Sequence, residues 1–80
     1  MDELLIISYE VYVLERTGWQ MHGRYPQDDR AEALTEAKGL EAEMAAAVKV
    51  VRSEYHPRGN TEERHEVYSS KLIPGENSRR

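Results

Sequence analysis

Residues 5–25, LIISYEVYVLERTGWQMHGRY, have the clearest structural pattern in the chain. Apolar residues alternate with other residues through Tyr9, Val11 and Val13, which is the period of a strand with one buried face. Thr17-Gly18 interrupts this pattern, and turn-forming residues between two such runs indicate a β-hairpin. Residues 5–25 are therefore predicted to form two long antiparallel strands, of which the first is the more apolar.

Two registers of this first hairpin compete. A two-residue loop would set Val13 opposite His22 and mix polar with apolar side chains on each face. A three-residue loop with Gly18 as a left-handed bulge sets Glu10 opposite Arg24, and opposite charges across a ladder favour that register. We therefore expect the three-residue loop and an inward face formed by Tyr9, Val11, Val13, Trp19, Met21 and Tyr25.

A helix is predicted over residues 29–44. Asp29, with Glu32 three residues later, has the form of a capping box at its start. Gly39 lies inside the helix, where it costs about 1 kcal/mol relative to Ala, and suggests a close approach to the sheet. The expected packing face has apolar residues at spacings of four, three and four, namely Ala33, Ala37, Leu40 and Met44.

A second hairpin is predicted between Val48 and Leu72, around a loop that spans residues 57–61. A five-residue loop pairs Glu54 with Arg64, whereas a four-residue loop would set Glu54 against Glu63, which is unfavourable. We therefore expect the five-residue loop. It places Val48, Val50, Tyr68 and Leu72 on one face of the hairpin, and Val51, Tyr55 and Val67 on the other.

These elements predict an α+β fold of the order β-β-α-β-β, in which two hairpins form a four-stranded antiparallel sheet and one helix packs on one face. The strand order is 2-1-3-4 or 1-2-4-3. We favour 2-1-3-4, because the first strand is the longest and most apolar and suits a central position. Residues 1–73 are then a single domain, and residues 74–80, PGENSRR, a flexible tail or the start of a linker.

Composition restricts the function. The chain has no Cys, which excludes a disulfide framework, a thiolate metal site and a Cys nucleophile. The net charge is −4, and residues 27–44 hold six acidic against two basic residues, so the basic stripe of a nucleic-acid-binding protein is missing. The longest apolar run, residues 44–48, is too short to cross a membrane, and the acidic residues 2–3 do not fit a secretory signal. We expect a cytoplasmic protein.

No set of nucleophile, base and orienting group can be recognised in the sequence. His22, His56 and His65 are the only side chains that titrate near neutrality. The spacing of His56 and His65, with Glu54 and Glu63 nearby, matches no metal-binding motif. The scattered glycines do not form a phosphate-binding loop. We therefore predict no enzymatic activity, no catalytic residues, no metal and no cofactor.

The segments 9–13 (YEVYV), 18–19 (GW), 48–52 (VKVVR) and 67–68 (VY), with the alanine-rich helix between them, resemble a group of small bacterial β-β-α-β-β domains of unassigned function. The resemblance covers residues 8–70. It implies a compact bacterial domain, and it supplies no catalytic residues to carry over.

The predicted architecture leaves one face of the sheet uncovered, because one helix about 10 Å wide cannot cover both faces of four strands that span roughly 19 Å. We expect this face to carry an apolar strip that mediates homodimerisation or docking of another protein. The alternative is a small ligand- or nucleic-acid-binding sheet, which would show a concave site with convergent polar groups. The predicted interaction face consists of Ile6, Tyr12, Leu14, Val51, Tyr55 and Val67.

Overall fold

A computed structural model describes residues 4–70 of the chain. Its elements follow the order β-β-α-β-β, and the four strands form one antiparallel sheet in the order β2-β1-β3-β4. The predicted α+β fold and the favoured strand order are confirmed. The elements are β1 (Ile6–Glu15), β2 (Gly18–Pro26), α1 (Arg30–Met44), β3 (Val48–His56) and β4 (Thr61–Ser69).

Three expectations lie outside the described residues. They concern Leu72, the domain boundary at residue 73 and the tail over residues 74–80. Among residues 4–70, no helix has both the length and the apolar character needed to cross a membrane.

The core lies between α1 and the two central strands. Val11 and Val13 of β1 have no solvent exposure, because α1 covers them with Ala33 and Ala37, which are equally buried. We call the side of the sheet that α1 covers the inner face. Its buried cluster, which α1 completes, consists of Tyr9, Val11, Val13, Ala33, Ala37, Val48 and Val50.

The start of α1 differs from the predicted capping box. Asp29 occupies the N-cap position, but its side chain makes no capping hydrogen bond. A 3-10 turn over Gln27–Asp29 runs directly into the helix, and it holds Asp29 at φ −107° and ψ 34°. An N-cap side chain usually reaches the helix amides from an extended backbone, so this conformation explains the missing bond.

The close approach between helix and sheet is at Gly23 and not at Gly39. Gly39 is exposed, and a Cβ atom built there would meet no atom within 4 Å. Gly23 of β2 lies opposite Val11, and a Cβ atom there would be 3.0 Å from Oε1 of Glu36 on α1. The expected role of Gly39 is therefore wrong, and Gly23 provides the space for a helix side chain.

The first hairpin keeps the predicted register only in its distal half. Glu10 lies opposite Arg24 as expected, but the bulge is next to His22 and not at Gly18. The turn contains two residues, Arg16 and Thr17.

Because of this shift of the bulge, Trp19 and Met21 point to the face opposite the one predicted. Leu14 lies opposite Trp19 and Tyr12 opposite Met21, so both β2 side chains stand on the face away from α1. They are 39% and 49% exposed. Their predicted place beneath the helix is wrong. A helix that rests on alanines lies close to the sheet and leaves room for valines, but not for an indole ring.

The second hairpin has a four-residue turn, so the five-residue loop predicted from charge pairing is wrong. Glu54 lies opposite Glu63, and only the distal pair of Val50 with Tyr68 follows the prediction, after a bulge at Val67. Asn60 closes the turn at φ 54°, a left-handed conformation that Asn tolerates, and its N–H donates to the Pro57 carbonyl over 3.2 Å.

Both carboxylates of the Glu54–Glu63 pair have a neighbouring nitrogen group, and that of Glu54 is the cation of Arg52. Nε of Arg52 lies 3.2 Å from Oε2 of Glu54, an ion-pair distance, although the two are not aligned as a hydrogen bond. Nε2 of His65 lies 3.7 Å from Oε1 of Glu63. Because Glu63 and His65 are exposed, water screens the like charges, and turn geometry decides the register.

Candidate functional site

The face of the sheet away from α1, which we call the outer face, has a band of polar side chains across its middle. The strand register places Ser8 and Glu10 of β1 beside Ser53 of β3, and all three are buried. Arg24 of β2 and Arg64 of β4 reach this band from the two edge strands. Since buried polar groups are costly unless they are hydrogen-bonded, each of these contacts supports the sheet locally.

The Glu10 carboxylate is the centre of this band. Its Oε1 accepts hydrogen bonds from Nη2 of Arg64 at 2.6 Å and from the Tyr12 hydroxyl at 2.8 Å. Nη2 of Arg64 also donates to the Tyr12 hydroxyl oxygen over 2.8 Å. The sequence predicted Arg24 as the partner of Glu10, but Nε of Arg24 instead lies 3.4 Å from Oγ of Ser8. The long Arg64 side chain crosses β3 to make the stronger pair.

These contacts shift two proton equilibria in the same direction. Burial and the hydrogen bond to Glu10 raise the pKa of the Tyr12 hydroxyl, and the nearby Arg64 offsets part of that rise. The hydrogen bonds to Tyr12 and Glu10 raise the pKa of Arg64 against the opposing effect of burial. Both groups are therefore held in their protonated forms.

Glu62 closes the band on the β4 side. The Ser53 hydroxyl donates to its Oε2 over 2.7 Å, and Nη1 of Arg64 donates to the same oxygen over 3.2 Å. The Ser53 hydrogen bond, followed by Arg64, lowers the pKa of this carboxyl below its ordinary value. Arg64 thus lies between two carboxylates, and its charge is balanced within the band.

The polar band divides the predicted interaction face. Ile6 and Tyr55 lie opposite each other on one side of it, and Tyr12, Leu14 and Val51 lie on the other. Val67 stands at the β4 bulge and packs against the buried cluster under α1. Five of the six predicted residues therefore share the outer face, but they do not form one apolar strip.

A concave site lies on the outer face beside this band. Its cavity has a volume of about 340 Å³, and a second cavity of about 220 Å³ shares Trp19, Lys49 and Glu66 with it. The second cavity continues along the end of the sheet to Ser69 and Ser70. We call the first cavity the Trp19 cleft, and its lining consists of Tyr12, Trp19, Lys49, Val51, Arg64 and Glu66.

Lys49 stands over the aromatic floor of the Trp19 cleft. Its Nζ lies 4.4 Å from the centre of the Trp19 ring and 5.7 Å from that of Tyr12, which are cation–π distances. Among residues 4–70, no carboxylate forms an ion pair with this ammonium group. Lys49 therefore differs from Arg64 of the same cleft, whose charge Glu10 and Glu62 balance.

This cleft is not evident from the sequence, because it depends on the β2 bulge. The sequence does indicate that Lys49 shares a face with Val51, and Arg64 with Glu66, since side chains two positions apart on a strand point to the same side. Trp19, in contrast, joins them only because the extra residue lies at His22. A Trp placed directly after a hairpin turn was the one available signal.

Other titratable side chains lie near one another on each of the two hairpins, outside the Trp19 cleft. Nε2 of His22 lies 2.8 Å from Oε2 of Glu15 at the end of the first hairpin. On the second hairpin, donor atoms of Glu54, Glu63 and His65 lie within 4.8 Å of one another. Glu54 already pairs with Arg52, and Glu63 and His65 contact each other at the exposed surface, so these local contacts account for the cluster.

Comparisons with known proteins give no assignment: no protein family model, no curated protein and no solved structure matches this chain. The resemblance to small bacterial domains stays a prediction. The function is therefore inferred from the geometry of the outer face.

Proposed function

We propose that this chain is a non-catalytic protein-interaction module, and that it binds a second copy of itself through the outer face at the Trp19 cleft. The observation that carries this proposal is the convergence of Tyr12, Trp19 and Arg64 around one concavity. Trp, Tyr and Arg are the residue types that supply most of the binding free energy in protein interfaces. Met21 is exposed and lies opposite Tyr12 of the cleft lining, so it adds apolar surface next to the cleft.

Charge supports a second copy as the partner. On the outer face within residues 4–70, Arg24, Lys49 and Arg64 are matched in number by Glu10, Glu62 and Glu66, so these parts of two outer faces meet without net repulsion. Residues 27–44, which include α1, hold six acidic against two basic residues, so two helix faces repel each other. Electrostatic complementarity thus favours pairing through the outer face. Two-fold pairing is also the commonest form of self-association.

Trp19 offers a direct test, since it is the only tryptophan of the chain. If the outer faces pair, raising the protein concentration from micromolar to millimolar will shift Trp19 emission to shorter wavelength and protect it from iodide quenching. The variant Met21→Lys, which places a charge next to the cleft, should move this transition to higher concentration. Met44→Lys, at an exposed position on α1, is the matched control. Emission that is independent of concentration would contradict a second copy as the partner.

The second candidate is binding of a small ligand in the Trp19 cleft. It is favoured by the same concavity, because polar groups of Lys49, Arg64 and Glu66 converge there on an aromatic floor. A nucleic acid is the weaker form of this alternative, since acidic and basic residues are equal in number on the described part of the outer face.

A further inference from the structure

We propose that the Trp19 cleft binds a side-chain carboxylate of an extended partner segment, and that Lys49 is the residue that receives it. This inference goes beyond the proposed function, because it names the chemistry of a further partner group that the same cleft can receive. The partner segment carries an Asp or Glu flanked by apolar residues.

The charge of Lys49 carries the argument. Arg64 donates to Glu10 over 2.6 Å and to Glu62 over 3.2 Å, so its charge is already balanced. The ammonium group of Lys49 contacts the rings of Trp19 and Tyr12, and within residues 4–70 it forms no ion pair. A ring attracts the cation through its quadrupole but accepts no strong hydrogen bond, so the three N–H donors of Lys49 are available to a carboxylate.

The shape of the site selects a side chain over a chain end. The Trp19 cleft and the neighbouring cavity lie side by side, because Trp19, Lys49 and Glu66 line both, and the second cavity extends the concave surface towards Ser69. An extended segment can lie along such a surface and present a side chain to Lys49. Trp19 and Met21 are both exposed and provide apolar contacts for its neighbours.

Glu66 should affect binding in the opposite direction to Lys49. Its side chain lines both cavities, so its negative charge repels an incoming carboxylate. The change Glu66→Gln should therefore strengthen binding of an acidic segment, whereas Lys49→Gln should weaken it. A role in folding alone does not predict opposite effects on a ligand.

The experiment is a titration of the full chain followed by Trp19 fluorescence at protein concentrations where it is monomeric. The probes are acetyl-Leu-Glu-Leu-amide and its neutral analogue acetyl-Leu-Gln-Leu-amide, at one ionic strength. We expect the acidic peptide to bind about threefold more tightly, which is the size of one exposed ion pair. Lys49→Gln should remove the difference. Lys38→Gln should preserve it, because Lys38 lies over the Tyr68 ring at 5.6 Å, outside the cleft lining.

Equal binding of the two peptides, or no response of Trp19 to either, would overturn the inference. Tighter binding of acetyl-Leu-Leu with a free terminal carboxylate than of either amide would also overturn it, since the cleft would then select a chain end. The proposed function fails separately: concentration-independent Trp19 emission contradicts self-association, whatever the peptides show.

Discussion

Arg64 of β4 spans the adjacent strand β3 and places its Nη2 2.6 Å from Oε1 of Glu10 on β1. The Glu10 side chain is 5% exposed, whereas that of Arg64 is 43% exposed. One edge strand thus supplies the cation for a carboxylate buried on the central strand. The outer face is consequently organised around an ion pair and not around an apolar strip.

Removal of the cation should destabilise the fold. In Arg64→Met the Glu10 carboxylate stays buried and, of its side-chain donors within residues 4–70, keeps the Tyr12 hydroxyl. We expect a loss of about 2 kcal/mol, lower than for a fully buried pair because Arg64 is partly exposed. Urea unfolding gives the value. Glu10→Gln in the Arg64→Met background should recover part of the loss. An unchanged urea midpoint in Arg64→Met, with Arg58→Met as the exposed control, would contradict the role of the pair.

Two aspartate substitutions test the face assignments of the first hairpin. Val11→Asp should unfold the domain, because it buries an unpaired charge under α1, at a cost of several kcal/mol. Met21→Asp should fold, because Met21 stands on the outer face. Circular dichroism and thermal melting distinguish the two. Unfolding of both variants would show that Met21 packs inside after all.

Substitutions at Gly39 of α1 and at its C-cap, Ala45, should raise the stability of the fold. Ala45 ends the helix at φ 50°, a left-handed conformation that costs about 1 kcal/mol for a residue with a Cβ, so Ala45→Gly should stabilise the fold by about that amount. Gly39→Ala should add about 1 kcal/mol by restoring helix propensity where no atom obstructs the new methyl group. Ala42→Gly, inside the helix, should destabilise it by a similar amount. Chemical unfolding that shows Ala45→Gly to be destabilising would refute the left-handed cap.

The Tyr12 hydroxyl predicts a dependence of stability on alkaline pH. Its pKa is raised in the folded state by burial and by the hydrogen bond to Glu10. The stabilisation it provides is therefore complete below about pH 10, the unfolded value, and is lost as pH rises through the folded pKa. The difference between the tyrosinate absorbance titrations of the native chain and Tyr12→Phe isolates this group. A difference curve centred below pH 10 would contradict the hydrogen-bonded network.

The sequence predicts the elements and their order well, because strand alternation and helix spacing depend on local periods. It predicts the registers less well. Charge pairing correctly predicted that Glu10 lies opposite Arg24. The ion pair of Glu10 is nevertheless with Arg64, whose side chain reaches across β3 to the carboxylate. The conformation of Asn60 at the second turn outweighed the repulsion between Glu54 and Glu63.

The candidate site was harder to predict than the fold. Trp19 turns outward through one extra residue in β2, and a one-residue shift of register moves a side chain to the opposite face. Such a shift is decided by how closely α1 packs on the sheet. That distance depends on Ala33 and Ala37 together with Val11 and Val13, and no single stretch of sequence contains all four.

Sedimentation equilibrium of the full chain measures self-association through the outer face. The account predicts a mass near twice 9.3 kDa for the native chain, and a shift towards the monomer mass for Trp19→Ala, with Met44→Ala unchanged as the exposed control on α1. A native chain that sediments at 9.3 kDa at the highest accessible concentration would contradict it. So would a dimer whose dissociation constant is the same with and without the Trp19 side chain.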